Sequence, residues 1–172
     1  MMQRILVVED VEVYIEICRK EAVIPEYANF NDAGMDVYAA EDVIIAPSET
    51  VIVPTGLKFA IPDGFEIQVR PRSGISLHTP LRVSNSPGTI DSGYRDELGI
   101  ILTNSSKACD SCGDEPYSLK SKGNKKGAYR IQKGDRVAQL VLQEVPKMKL
   151  RIVESVLEIG KNRGGGFGST GV

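Results

Sequence analysis

Four short stretches carry residues whose types and spacing suit chemistry on an anion. In GTIDSGYRDE (Gly88 to Glu97), Asp91 and Tyr94 flank a Ser-Gly pair that reads as a hairpin tip, so a carboxylate and a phenol three residues apart can both face one cleft. RPRSG (Arg70 to Gly74) runs from a strand pattern into a short helical one. An arginine and a serine hydroxyl beside the first N–H groups of that turn suit phosphate-like oxygens. GDRVAQL (Gly134 to Leu140) sets a polar Gln139 in an otherwise apolar strand, and RGGGFGSTGV closes the chain with five glycines around one arginine, one phenylalanine, a serine and a threonine. Each stretch also has a plainer use. Hairpins carry Asp and Tyr for turn and packing reasons, Gln139 suits a satisfied core amide, and a glycine-rich end suits a solubilising linker.

The elements that must hold these residues are strands. VEVYIEI (Val11 to Ile17), GLKFAI through Leu57, Phe59 and Ile61, FEIQVR through Phe65, Ile67 and Val69, and MKLRI through Met148, Leu150 and Ile152 all alternate with period two. IAPSE, VPTG, IPDG, NSPG and QKGD supply turns between strands. Further strands are expected around Val83 and from Leu98 to Leu102. The one helical segment follows Arg72 over SGISL and stops at Pro80. Many short strands separated by Pro/Gly turns predict an all-β sandwich, jelly roll or barrel. RILVVED (Arg4 to Asp10) imitates the first strand of a phospho-receiver domain, but that fold alternates strands with helices. Strand follows strand here, so the segment reads as an N-terminal extension.

A length of 172 residues predicts one domain, spanning 1–172, with a core able to fold unaided. Six Tyr, four Phe and no Trp leave that core to aliphatic side chains. A net charge of −2 provides no general attraction for nucleic acid, so any polyanion is held by a few placed groups. No apolar run reaches the roughly 20 residues of a membrane span, and the N-terminus lacks the pattern of an export signal. A cytoplasmic protein with no membrane or nucleic-acid partner is expected. Cys18, Cys109 and Cys112 are an odd number, which favours reduced thiols.

Taken in chain order, these stretches resemble the trimeric dUTPase family. DAGMDVYAA (Asp32 to Ala40) is similar to that family's first motif, RPRSG to its second, GTIDSGYR to its third, GDRVAQL to its fourth and RGGGFGSTG to its fifth, and VIPEYAN upstream also fits. The resemblance implies a dUTPase-like jelly roll, or β-clip, with one short helix, its C-terminal arm exchanged in a homotrimer whose sites are each shared by three subunits. It implies hydrolysis of dUTP to dUMP and pyrophosphate, with Asp91 orienting and partly deprotonating a water that attacks the α-phosphorus. An aspartate is a weak base, so its positioning matters more than its proton affinity.

By the same resemblance Mg2+ rides mainly on the triphosphate, with Asp36 in its outer shell through water; a structural carboxylate capping a turn beside Gly34 is the other use of Asp36. Arg72, Ser73, Gly74 and Gln139 contact phosphates. Tyr94 lies against the deoxyribose, and Thr89, Ile90, Gly99 and the Asn85 amide read uracil. Residues 160–172 form a flexible lid in which Phe167 stacks on the base and Arg163 meets the terminal phosphate. Ser169 and Thr170 add hydrogen bonds, and glycines such as Gly168 let the backbone approach closely.

Two features depart from the family's pattern. Asp96 stands where Gly follows Tyr-Arg in the third motif. Residues 105–129, SSKACDSCGDEPYSLKSKGNKKGAY, form a polar insertion between the third and fourth motifs, expected on the surface as a possible protein-partner site. From Lys107 to Arg130 it holds six Lys/Arg against three Asp/Glu. Its CDSC (Cys109 to Cys112) is half a zinc site with no second pair, and His78 is the chain's single histidine. The same fold superfamily also allows dCTP deamination, and a third reading is a dUTP-binding regulator acting on a partner through the insertion.

Overall fold

The computed structural model describes residues 10–108 and 115–165. Among them the chain forms twelve strands and one helix: β1 (Tyr14–Ile17), β2 (Met35–Tyr38), β3 (Val43–Ile45), β4 (Thr50–Pro54), β5 (Leu57–Ala60), β6 (Phe65–Arg70), α1 (Ser73–His78), β7 (Leu81–Val83), β8 (Gly88–Asp91), β9 (Gly99–Asn104), β10 (Tyr117–Ser118), β11 (Tyr129–Ile131) and β12 (Arg136–Glu144). The antiparallel sheet β2-β12-β6-β8 carries the third-motif hairpin on one edge and the first motif on the other. Smaller sheets β4-β9-β7, β10-β11-β3 and β1-β5 complete an all-β jelly roll.

Alternation decides which side chains face inward. Leu57, Phe59 and Ile61 are buried, as are Ile67 and Val69, and they join one core with Val37, Ile45, Val53, Leu102, Ile131 and Leu140. Each such aliphatic side chain taken from water contributes about 1.5–3 kcal/mol. Two glycines are set by close approach. Gly56 has φ +72, and a Cβ there would lie 2.7 Å from that of Ala22; a Cβ on Gly99 would collide with the Ile52 methyl.

Pro71 lacks an N–H and ends β6, and α1 begins two residues later. At its other end Thr79 caps the helix, with both N–H and Oγ1 donating to the Ile75 carbonyl (3.0 and 2.8 Å), before Pro80 stops it.

Two strand expectations are corrected. Val11 to Ile17 narrows to β1, since only Tyr14–Ile17 pair with β5. MKLRI forms no strand: after the Val145 N–H meets the Gly64 carbonyl, Met148, Leu150 and Ile152 stand exposed. An alternating sequence becomes a strand only when a neighbouring edge accepts its backbone bonds, and this chain offers that segment none among its described residues.

The insertion is tied back at its base. The fully buried Asn104 amide donates to the carbonyls of Ile45 (3.0 Å) and Gly127 (2.8 Å), and its Oδ1 accepts from the Ser106 N–H and hydroxyl. Tyr117 packs on buried Tyr129 with ring centroids 5.6 Å apart, and the Lys125 ammonium lies 5.1 Å from the Tyr117 centroid. Cys109 and Cys112 lie outside the described residues. No helix is long and apolar enough to cross a membrane among those described.

Candidate active site

The four-stranded sheet positions two groups of polar side chains. Gln139 on β12 is directly opposite Asp36 on β2 and, across its other edge, Arg70 on β6. Beyond Pro71, Arg72 turns back over β2 and grips Asp36 with two bonds, Nε to Oδ1 (2.8 Å) and Nη2 to Oδ2 (3.2 Å). Arg136, at the start of β12, donates to Asp36 Oδ2 at 3.1 Å. Asp36 thus sits largely covered between two guanidinium groups (15% exposed), the second of which is more than half exposed. Forked pairing of this kind fixes both the position and the plane of the arginine. Ser73 and Gly74 open α1 directly beside this cluster, and no atom would lie within 4 Å of a Cβ at Gly74. Asp36, Arg136 and Gln139 border one recess of about 300 Å³, together with Tyr38, Asp32 and Glu26.

The second group hangs from β8. Thr89, Ile90 and Asp91 pair with Gln68, Ile67 and Glu66 of β6, and Asp91 ends the strand exposed to solvent. The Tyr94 N–H donates to the Asp91 carbonyl (3.1 Å), closing the turn, and the Tyr94 hydroxyl donates to the Glu97 carbonyl (3.0 Å). Exposed Asn85 packs its amide over Gly88, where a Cβ would meet it at 3.2 Å. Gly99 begins β9, paired with Pro54. No ion pair holds Asp91 among the described residues.

Within one chain these groups do not meet. Asp91 is opposite Glu66, whereas Gln139 is opposite Arg70, four residues further along β6. Three strand spacings across and four residues along place Asp91 about 20 Å from Asp36. On one chain, Asp91 and the Arg72–Asp36 cluster therefore stand on well-separated parts of the same sheet. Arg163 is exposed at the end of the described chain, followed by Gly164 and Gly165 at φ +63 and +70, while Phe167, Gly168, Ser169 and Thr170 lie outside the described residues.

Sequence reasoning missed two groups. Arg136 lies inside the quoted fourth motif, but its bond to Asp36 spans 100 residues. Glu97 is the other. Its Oε1 accepts from Arg19 Nε (2.6 Å) and the Gly56 N–H (2.8 Å), bracing the hairpin exit beside Asp96, while the same guanidinium pairs with Glu41. The Arg19 hydrogen bond, aided by the Gly56 N–H, holds the Glu97 carboxyl below its ordinary 4.5 against the opposing effect of burial.

No group of three or more His, Cys, Asp or Glu side chains suited to a metal occurs among the described residues. With Asp36 already shared by two arginines, the residues present do not form a metal cage. They fit an ion whose inner ligands arrive with a polyphosphate, since Mg2+ needs only one or two carboxylates nearby.

The site thus consists of an arginine–aspartate cluster on one edge of an all-β sheet and an exposed aspartate on the other. Comparison with known proteins makes the assignment definite. The dUTPase family model matches residues 20–109. The deoxyuridine 5'-triphosphate nucleotidohydrolase of Clostridium tetani is 38% identical over 157 residues, covering 91% of this chain and 94% of its own. Among solved structures, a point mutant of the Staphylococcus bacteriophage 80alpha dUTPase with dUpNHpp superposes with a TM-score of 0.82 at 32% identity, over 94% of this chain and 99% of that one. A mutant dUTPase from phage phi11 of S. aureus, described as coordinating a structural Mg(II) ion, matches with a TM-score of 0.76 at 30% identity, over 84% of this chain and 97% of that one. The chain belongs to the dUTPase family. Neither the deaminase nor the regulatory reading is favoured by these relatives.

Proposed function

We propose that this protein hydrolyses dUTP to dUMP and pyrophosphate in a site assembled between copies of the chain. The observation that carries this reading is the relation to a nucleotidohydrolase over 91% of the chain. The sheet geometry supports its shared-site part, because the two halves of the site stand about 20 Å apart on a single chain. The exposed apolar side chains of residues 148–152 support a homotrimer with an exchanged arm, since packing them on a neighbouring chain would take them from water.

Asp91, exposed at the end of β8, orients a water toward the α-phosphorus and accepts its proton as the phosphorus–oxygen bond forms and pyrophosphate departs. Tyr94, fixed at both its N–H and its hydroxyl, presents its ring to the deoxyribose and leaves no room for a 2′-hydroxyl. Thr89, Ile90, Gly99 and Asn85 read the uracil edge. Arg72, Ser73, Gly74 and Gln139 take the phosphates; the arginines exchange part of their pairing with Asp36 for phosphate oxygens, which leaves that carboxylate available to water around a cation. Asp36 would face the water shell of Mg2+ carried on the triphosphate, an ion that would supply charge neutralisation of the phosphates. Arg163, Phe167, Gly168, Ser169 and Thr170 close over the nucleotide from a neighbouring chain, and the glycines allow that lid to reopen.

The test is nucleotide chromatography after incubation with magnesium and, separately, dUTP, dCTP and UTP. Conversion of dUTP to dUMP, with the other two intact, is expected; deamination of dCTP or inert dUTP would overturn the reading.

A further inference from the structure

Beside the Arg72 cluster lies a second recess of about 250 Å³, and one of its walls comes from the insertion. Arg72, Arg136, His78 and Asp135 line it together with Lys120 and Lys122 of the insertion. The insertion does not reach this place by chance of a loose loop. Leu119 packs partly buried on the core, β10 pairs with β11, and the Asn124 N–H donates to the His78 carbonyl at 2.9 Å, fastening the segment to the end of α1.

The charges around the recess do not cancel. Four cations face it, against Asp135, whose carboxylate accepts from the Gln132 N–H, and Asp36, which is paired with both arginines behind it. Leaving His78 out, four minus two leaves a surplus of two positive charges. Neither lysine has a carboxylate within ion-pair distance among the described residues. Cations gathered without counter-charge repel one another, and a multivalent anion relieves that repulsion. Arginine forks fix the orientation of an oxyanion, while lysines add mobile point charge, so the two walls complement each other.

We propose that the insertion adds this second cationic wall to the polyphosphate end of the site, and that Lys120 and Lys122 bind the pyrophosphate portion of the nucleotide. They hold it as the β- and γ-phosphates before cleavage and as the free product afterwards. The proposal rests on the dUTP reading for its substrate, but the recess itself asks only for a diphosphate-like anion.

The experiment compares the full chain with the double variant Lys120→Gln/Lys122→Gln and with the control Lys126→Gln, an exposed lysine of the same insertion that borders a different recess. The double variant is expected to raise KM for dUTP about tenfold with kcat within about twofold, and to weaken inhibition by inorganic pyrophosphate about tenfold. Inhibition by dUMP, which lacks the diphosphate, is expected to stay unchanged. Unchanged pyrophosphate inhibition, or equal effects from Lys126→Gln, would overturn the proposal by removing the wall or reducing it to general charge. Calorimetric titration of inorganic pyrophosphate onto the unaltered chain and the double variant keeps the two readings apart. Loss of pyrophosphate binding in the variant supports the cationic wall even if dUTP is not the substrate; equal binding refutes it even if dUTP is hydrolysed.

Discussion

Asp36 and Asp91 lie on opposite edges of the same four-stranded sheet, yet the fold treats them differently. Asp36 is 15% exposed and carries three bonds from Arg72 and Arg136. Asp91 ends β8 in solvent, with no ion pair among the described residues. A carboxylate between two guanidinium groups organises its neighbours. One that is exposed, at a turn braced by its own carbonyl and by Tyr94, keeps its lone pairs for water. The sheet thus separates a carboxylate fixed between arginines from one left open to water, which is the separation the proposed shared site would use.

The largest expected effect comes from removing the available base. Asp91→Asn should lower kcat on the order of 10³-fold while a non-hydrolysable dUTP analogue binds with little change, read by steady-state kinetics and calorimetry. Wild-type turnover would remove Asp91 from the chemistry. Mixing sharpens the comparison further. Unfolded and co-refolded in equal amounts, Asp91→Asn and Arg72→Ala chains should regain activity, because about one site in four pairs an intact hairpin with an intact arginine cluster, half times half, if each comes from a different subunit. No recovery in assembled mixed oligomers would place both halves of the site on one chain.

A smaller effect is expected from the organising carboxylate. Asp36→Asn leaves Arg72 and Arg136 without their common anion and should reduce kcat/KM about tenfold through misplaced phosphate donors, with analogue binding weakened in parallel. An unchanged value would mean that the phosphates orient the arginines without it. The smallest effect concerns the hairpin exit. Arg19 and the Gly56 N–H hold Glu97 below its ordinary 4.5, so their stabilisation is complete above that value and is lost as the pH falls through the lowered one. Protection of the hairpin amides, measured as exchange relative to the intrinsic rate at each pH, should therefore fall on acidification, and Glu97→Gln should remove that acid dependence. A hairpin equally acid-sensitive in Glu97→Gln would assign the effect elsewhere.

Much of this was legible in the chain because it depends on near neighbours in sequence. The period-two runs at Leu57 to Ile61 and Phe65 to Val69 are buried as their alternation requires, since successive strand residues face opposite ways. The helix over SGISL begins and ends between Pro71 and Pro80, where proline's missing N–H leaves it little choice. RPRSG and GTIDSGYR lie at strand ends and turns, where side chains reach solvent. MKLRI has an equally good pattern and no strand, because a strand also needs an edge, and no local rule supplies one.

The amino-acid sequence by itself determined an all-β fold, the places where the chain turns, and which residue types stand at the sheet's ends. The meeting of Arg136 with Asp36 across 100 residues, of Arg19 with Glu97 across 78, and of a polar insertion with the recess that Arg72 lines came from the folded chain alone. The physical reason is range. Periodicity and turn chemistry act between residues a few positions apart, whereas ion pairs and recesses arise when the sheets close around a shared core and bring distant segments within bonding distance.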